Sequence, residues 1–548
     1  MGRYEEINET YDWDQAWDSI AGEKDGRVNL GHEVIGKHVE AGDGDRFAVR
    51  IVDFGTGEAE EFTYGELQRR AGRFVNYLDD LGLEQGDRVA AMLEASPELY
   101  TTMFGCWLAG VEFVPLFILF GPDATNYRLE DADAKAIVTT SAHSDKVDVA
   151  GLDDLEHVVL TDDGGEDGEH VRRFDEIDDR PPEYEVADTD AHDTAVIQYT
   201  SGTTGPPKGV ELKHMMPVSM YPPFTFAADH RPEDNYFGAA PPAWSYGLFG
   251  CTVYALHSGM GTTSYRGEFR PGPFVDVLEE HDITNLFAPP TLLRQLSALD
   301  IDFESVDHDL RIVVTAGEPL DPGTVEWVRG TFDSKIVDHY GFTESGTMLV
   351  NNYVFDDWEI KPGSMGKPTP GFDVRVFDLE EDEEVPQGEV GEIVFGTDAP
   401  LGAEGYLNQP ERSEEKWGGD WVRSDDLARV DEDGYFWFEG RSDDVILSAG
   451  YRIGPTEVEN ALMEHDAVSE VAVVGLPDDE RGEIVAAFVV PTEGYEGGDD
   501  LADRLRQSVS DNLSKHEYPR AIHFVEELPK TASEKIQRFK LREEYGEE

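Results

Sequence analysis

A chain of 548 residues exceeds what one hydrophobic core serves, since cores stop growing near roughly 250–300 residues, so two or more domains are expected. Its 116 acidic residues against 44 basic ones give a formal charge of −72. A surface this anionic repels the DNA backbone and anionic lipid, which argues against nucleic acid or a membrane as partner; dispersed, Lys-poor carboxylates suit a molar-salt cytoplasm, as in a halophile.

The N-terminal stretch MGRYEEINETYDWDQ is acidic and has no apolar core, so no secretory signal is expected and a cytoplasmic location is. From about residue 64 to 340, short apolar runs such as DRVAAMLEA, VEFVPLF, AKAIVTT, TAVIQYT and LRIVVTAGEPL alternate with helical patterns. That alternation predicts largely parallel sheets covered by helices. The stretch TTMFGCWLAGVEFVPLFILFG (Thr101 to Gly121) is interrupted by Glu112 and Pro115, which predicts a buried helix ending at Gly110 and then a buried strand instead of a membrane span. Cys106 and Cys251 lie far apart among apolar neighbours, predicting inert buried thiols. Between about 365 and 440, FDVRVFD, GEVGEIVFG and GYFWFEG read as a small antiparallel barrel. After Gly440 come a helix, PTEVENALMEH, entered through Pro455, a β-hairpin, VSEVAVVGLPDDERGEIVAAFVV, and an amphipathic helix, DDLADRLRQSVSDNL. Domains are expected over residues 1–440 and 441–548.

The strand TAVIQYT runs into SGTTGPPKG. Gly202, Gly205 and Gly209 permit close backbone approach, the hydroxyls of Thr200, Ser201, Thr203 and Thr204 can wrap an anion, and Lys208 adds a point charge. This is a phosphate cradle in chemistry but not the G-x-x-x-x-G-K-[ST] loop, because only two residues separate Gly205 from Lys208. Taken alone, a plain Gly/Thr turn stays equally open. Far downstream, PKTASEKIQRFKLR gathers Lys530, Lys535, Arg538, Lys540 and Arg542 against the global trend, which suggests an anionic ligand; a solvated helix face is the plain alternative.

The whole string YTSGTTGPPKG resembles the phosphate-binding signature of the adenylate-forming superfamily of acyl-CoA synthetases, luciferases and adenylation domains. Further motifs follow in order. TAGEPL (Thr315 to Leu320) resembles the adenine-side loop, and DHYGFTES (Asp338 to Ser345) the Y-G-x-T-E motif. RSDDLARVDEDGYFWFEGRSDDVI resembles the ribose and hinge region, and SAGYRIGPTEVENAL with ELPKTASEKIQR the C-terminal motifs. The resemblance runs from roughly residue 60 to the end. It implies an α/β fold: a large N-terminal AMP-binding domain of two parallel-sheet α/β subdomains plus a small β-barrel, then a mobile α+β C-terminal domain.

The resemblance also implies an AMP-forming acid–thiol ligase that takes a carboxylic acid, ATP and CoA as substrates and uses Mg²⁺. ATP would be held by Thr200, Ser201, Gly202, Thr203, Thr204, Gly205 and Lys208 on the phosphate side. Around the base it would meet Gly317, Glu318, Pro319, Asp338, His339, Tyr340, Gly341 and Phe342. Thr343 would bond the α-phosphate, Glu344 would ligate Mg²⁺, and Asp426 with Arg441 would take the ribose. Lys535 matches the catalytic lysine and Asp443 the hinge. CoA would meet Ala449, Gly450, Tyr451, Arg452 and Arg481. Three departures stand out: Asp425 and Glu534 where the family usually has Gly, and Glu517 where relatives often carry a basic residue.

The strings AGEPLDP, IKPGSMGKP and EYPR look most like medium-chain acyl-CoA synthetases. Gly341 stands where acetyl-CoA synthetases place a Trp that closes the acyl pocket, so room for several carbons is implied. Trp244, Tyr246 and Gly247 in PPAWSYGLFG are expected to line that pocket, and Phe249 to be core. A medium-chain or branched-chain acid is therefore expected. Aryl-CoA and acetyl- or propionyl-CoA ligases are the substrate rivals, and a nucleotide-binding protein without catalysis is the rival from outside the class. The sequence leaves the oligomeric state open.

Overall fold

The computed structural model describes residues 2–24, 26–165, 168–200, 207–299, 301–379, 383–442, 444, 446–448, 451–463, 465–478, 481–492, 494–495, 497–512, 518–530 and 536–546. The chain divides into two compact units. One takes residues up to 373 together with 396–422, and the other takes 374–395 and 423 onward.

The first unit is built on two large sheets with helices between strands, as the alternation of apolar runs predicts. In one, the strands Phe47–Asp53, Gly261–Arg266, Asn235–Gly238, Asn285–Phe287, Ile312–Ala316 and Lys335–Phe342 lie side by side and parallel. The strand Gly346–Val350 then folds back antiparallel on Lys335–Phe342. In the other, Glu112–Pro115, Arg88–Met92, Ala136–Thr139 and His157–Leu160 run parallel. Its other flank ends in the antiparallel strands Thr194–Thr200, Lys208–Lys213 and Ala403–Tyr406.

Local chemistry sets the element ends. The helix Pro97–Ala109 starts where the Ser96 side chain accepts from the Leu99 N–H, and it stops at Gly110, whose φ of 70° is left-handed. The apolar stretch 101–121 is thus a buried helix followed by the strand Glu112–Pro115, as expected, and no described helix is long and apolar enough to cross a membrane. Cys106 and Cys251 are free and buried, and burial pushes both thiols up, so neither is a ready nucleophile.

In the second unit, Val374–Phe377, Gly391–Gly396, Trp421–Val430 and Phe436–Arg441 form, among the described residues, a four-stranded sheet where the small barrel was expected. The predicted hairpin is the long pair Val468–Asp478 and Gly482–Pro491. The helices Pro455–Met463 and Asp499–Asn512 follow the sequence pattern.

Candidate active site

The phosphate-side segment is closed by strand pairing. Thr200 and Lys208 face one another across the antiparallel strands Thr194–Thr200 and Lys208–Lys213. Ser201, Gly202, Thr203, Thr204 and Gly205 fall outside the described residues. Tyr127 donates from its hydroxyl to the Pro207 carbonyl at 3.1 Å and pins the outgoing arm.

Lys208 is half-buried and, among the described residues, forms no ion pair; its Nζ lies 5.0 Å from the centroid of the Tyr406 ring. Tyr406 ends the strand Ala403–Tyr406, sits opposite Val210, and is 6% exposed. Its hydroxyl donates to Glu344 Oε1 at 2.9 Å. Glu344 and Thr343 lie half-buried in the turn that links Lys335–Phe342 to Gly346–Val350. Lys208 and Glu344, both expected from the motifs, are therefore brought to the two sides of one ring that the motifs did not point to.

The other half of the hairpin is buried. Asp338 is 6% exposed, its Oδ1 has no hydrogen-bond partner among the described residues, and burial, then the Glu318 carboxylate, push its carboxyl up to about 8. His339 shares a 2.9 Å hydrogen bond between its Nδ1 and the Tyr246 hydroxyl, while its Nε2 has no partner among the described residues. Burial, then Lys335, push this imidazole down to about 3, so it is neutral. Tyr246 stacks on Phe287 with ring centroids 4.2 Å apart, and Trp244 lies 5.7 Å from the same ring. Nearby, His230 also has both ring nitrogens without partners among the described residues.

The adenine-side loop packs on this wall. Gly317 has a φ of 93°, and a Cβ there would come within 3.0 Å of the Trp244 ring. Glu318 accepts from Thr291 at 2.6 Å and from Arg294 at 2.9 Å. Pro319 follows in the same loop, and Tyr340 and Phe342 lie in the strand with Gly341 between them. Gly341 has a role the sequence did not suggest: a Cβ at 341 would collide with the Gly346 carbonyl, so the tight hairpin itself requires glycine. Gly247 is likewise crowded by the Pro241 carbonyl, and Phe249 is core, 4% exposed.

In the second unit, Asp426 and Arg441 are directly opposed in antiparallel strands, and Arg441 Nη1 donates to Asp426 Oδ1 at 3.1 Å. Asp425 has a φ of 65°, the left-handed region that explains why glycine is usual there and why Asp, which tolerates it, can substitute. Its side chain is 56% exposed. Tyr451 and Arg452 begin the strand Tyr451–Ile453, and the Arg481 N–H donates to Asp478 Oδ1 at 2.9 Å. Asp443, Ala449, Gly450, Glu517, Glu534 and Lys535 fall outside the described residues.

Three of the clustered C-terminal cations, Lys530, Arg538 and Arg542, are paired with carboxylates. Arg538 donates to both oxygens of Glu459, at 2.8 and 2.9 Å, and to Asp444 at 3.4 Å. Arg542 donates to Asp444 at 2.8 Å, and Lys530 to Glu470 at 2.9 Å. These cations neutralise carboxylates of their own unit, which a linear sequence cannot display.

Comparisons with known proteins bear on the family and the fold. Residues 37–407 match the model of the AMP-binding enzyme family, and residues 457–535 that of the AMP-binding enzyme C-terminal domain. The chain is 35% identical over 552 residues to an acetyl-coenzyme A synthetase of Bacillus subtilis, covering 99% of this chain and 95% of that one. A crystal structure of Brucella canis acyl-CoA synthetase superposes with a TM-score of 0.78 at 34% identity, covering 99% of both chains. The anthranilate CoA ligase AuaEII in complex with anthranoyl-AMP superposes with a TM-score of 0.85 at 28% identity, covering 94% of this chain and 97% of that one. The motif order, the two-sheet unit and these likenesses converge: the chain belongs to the AMP-binding enzyme family and is an AMP-forming acyl-CoA synthetase of the adenylate-forming superfamily.

Proposed function

We propose that this ATP-dependent acyl-CoA synthetase activates a medium-chain or branched-chain fatty acid, with Lys208 and Glu344 serving the phosphates. The observation that carries the site assignment is the Lys208–Tyr406–Glu344 constellation, a cation without a carboxylate partner among the described residues, set beside a carboxylate held by a neutral donor. A free carboxylate is a poor acyl donor because oxide would have to leave. Attack of its oxygen on the α-phosphorus of ATP breaks the bond to pyrophosphate and makes an acyl-adenylate. The CoA thiol then bonds the acyl carbon and AMP departs.

The protein's part in the first step is positioning and charge. Lys208 would bind the β- and γ-phosphate oxygens, Thr343 would donate to the α-phosphate, and Asp426 with Arg441 would bind the ribose. Lys535 would meet charge developing at phosphorus. Glu344 would hold Mg²⁺ through its carboxylate, since one oxygen ligand suits an ion that keeps most of its waters. When bound, Mg²⁺ neutralises phosphate charge. For the second step the chain beyond residue 440 is proposed to pivot at Asp443, so that Ala449, Gly450, Tyr451, Arg452 and Arg481 meet CoA.

Trp244, Tyr246 and Gly247 are proposed to line the acyl pocket. A second reading is favoured by a specific observation: the stacked Tyr246–Phe287 pair with partnerless nitrogens on His339 and His230 would also suit a substituted aryl acid. An apolar pocket separates such acids by only about 1–3 kcal/mol per methylene, so the substrate has to be measured. The test is carboxylate-dependent exchange of labelled pyrophosphate into ATP, in molar KCl with Mg²⁺ and no CoA. Acetate through octanoate, branched acids, benzoate and 2-aminobenzoate would be compared. Strongest exchange with six- to eight-carbon or branched acids is expected, and strongest exchange with an aryl acid or acetate would overturn this choice.

A further inference from the structure

We infer that Tyr406 is a positioning residue for adenylation, its hydroxyl orienting the Glu344 carboxylate and its ring face placing Lys208. The inference rests on the reading above that Lys208 and Glu344 serve the ATP phosphates. Tyr406 reaches Glu344 from 62 residues away in sequence and is held from several directions. Strand pairing sets it opposite Val210, two residues beyond Lys208. Its N–H donates to Ser413 Oγ at 2.9 Å, and the Trp417 ring packs against it with centroids 5.0 Å apart. A side chain 6% exposed and fixed in this way has little freedom to point elsewhere.

The chemistry fits the task. A phenol donates one hydrogen bond without adding charge, so it can fix one carboxylate oxygen and leave Glu344 anionic. The ring face attracts the Lys208 ammonium without neutralising it. Among the described residues Lys208 and Glu344 form no direct ion pair, which would cancel the charge each needs for phosphate and for a divalent ion. Tyr406 thus keeps both charges in place and apart.

Tyr406→Phe keeps the ring and its packing on Trp417 and removes only the hydroxyl; Tyr406→Leu removes both. Each half-reaction would be measured separately, pyrophosphate exchange for adenylation and acyl transfer to CoA from supplied acyl-adenylate. Binding of Mn²⁺ to the enzyme–ATP mixture would be followed by electron paramagnetic resonance. Tyr406→Phe is expected to slow exchange about 10-fold and weaken Mn²⁺ binding severalfold, the scale seen when a group orienting a metal ligand is lost, while acyl transfer stays unchanged. Tyr406→Leu should in addition weaken ATP binding. Wild-type exchange and Mn²⁺ binding in Tyr406→Phe would overturn the inference, as would equal losses in both half-reactions, the mark of a packing role. A wild-type enzyme that exchanges with no acid would overturn the functional reading instead, and the Mn²⁺ titration would still judge Tyr406.

Discussion

At the turn of the 335–350 hairpin, Glu344 stands half-buried beside a neutral phenol, and Lys208 lies half-buried over the same ring with no ion pair among the described residues. A few residues back along the same strand, Asp338 and His339 are buried, and burial pushes the carboxyl up to about 8 and the imidazole down to about 3. One strand therefore carries a charged end and an uncharged end. Charge survives where water or a ligand can solvate it, and is suppressed where desolvation outweighs any partner. A nucleotide, with charged phosphates at one end and a neutral heterocycle at the other, has the same polarity.

Changing each end should fail in a different way. The largest effect is expected at the charged end, where Lys208→Met should slow pyrophosphate exchange by about 10²–10³-fold, the range for loss of one group that meets transition-state charge; Lys535→Ala, by its proposed role, should slow it as much. Lys208→Met should leave the melting temperature unchanged, because no ion pair is lost; a large drop would make Lys208 structural and erase the contrast.

The buried end should respond to pH. With a carboxyl raised from 3.8 to about 8, the folded protein binds a proton that the unfolded chain releases. The Asp338 contribution is fully present below about 4 and is lost as pH rises through 8. Asp338→Asn removes this dependence, so its melting temperature relative to wild type should climb between pH 5 and 8, by roughly 2–4 °C for each kcal/mol. A difference that stays flat with pH would place the charge on Asp338 after all. The smallest effect is expected for Tyr246→Phe, which removes the 2.9 Å hydrogen bond to His339. A loss of roughly 1 kcal/mol in chemical denaturation, with ATP affinity unchanged, is expected; weakened ATP binding instead would make the pair part of the nucleotide site.

Much of this was legible in the sequence, for a physical reason. The helix stop at Gly110, the strand-to-strand alternation and the motifs around Lys208 and Glu344 are local, so a few neighbouring residues suffice to specify them. Tyr406 was not legible, because an uncharged residue in AEGYLNQP declares nothing until strand register sets it beside Lys208. Gly341 was legible only in part: its smallness stood out, but its collision with the Gly346 carbonyl depends on how the hairpin turns. The partners of Arg538, Arg542 and Lys530 were not legible for the same reason, since Glu459, Asp444 and Glu470 lie far from them along the chain.

Asp425 is not alone in its left-handed conformation. The other non-glycine residues with positive φ among those described are Asp133, Asp229, Asp282, Asp333 and Asn408, all short polar side chains of the kind that tolerates this region. Sharp turns that glycine usually serves have here become places to add a carboxylate without redirecting the backbone. Unlike glycine, Asp also narrows the range of conformations open to the unfolded chain, offsetting part of the strain. A family fold can in this way acquire an anionic hydration shell by changing its bends, leaving its strands and helices to keep the shape.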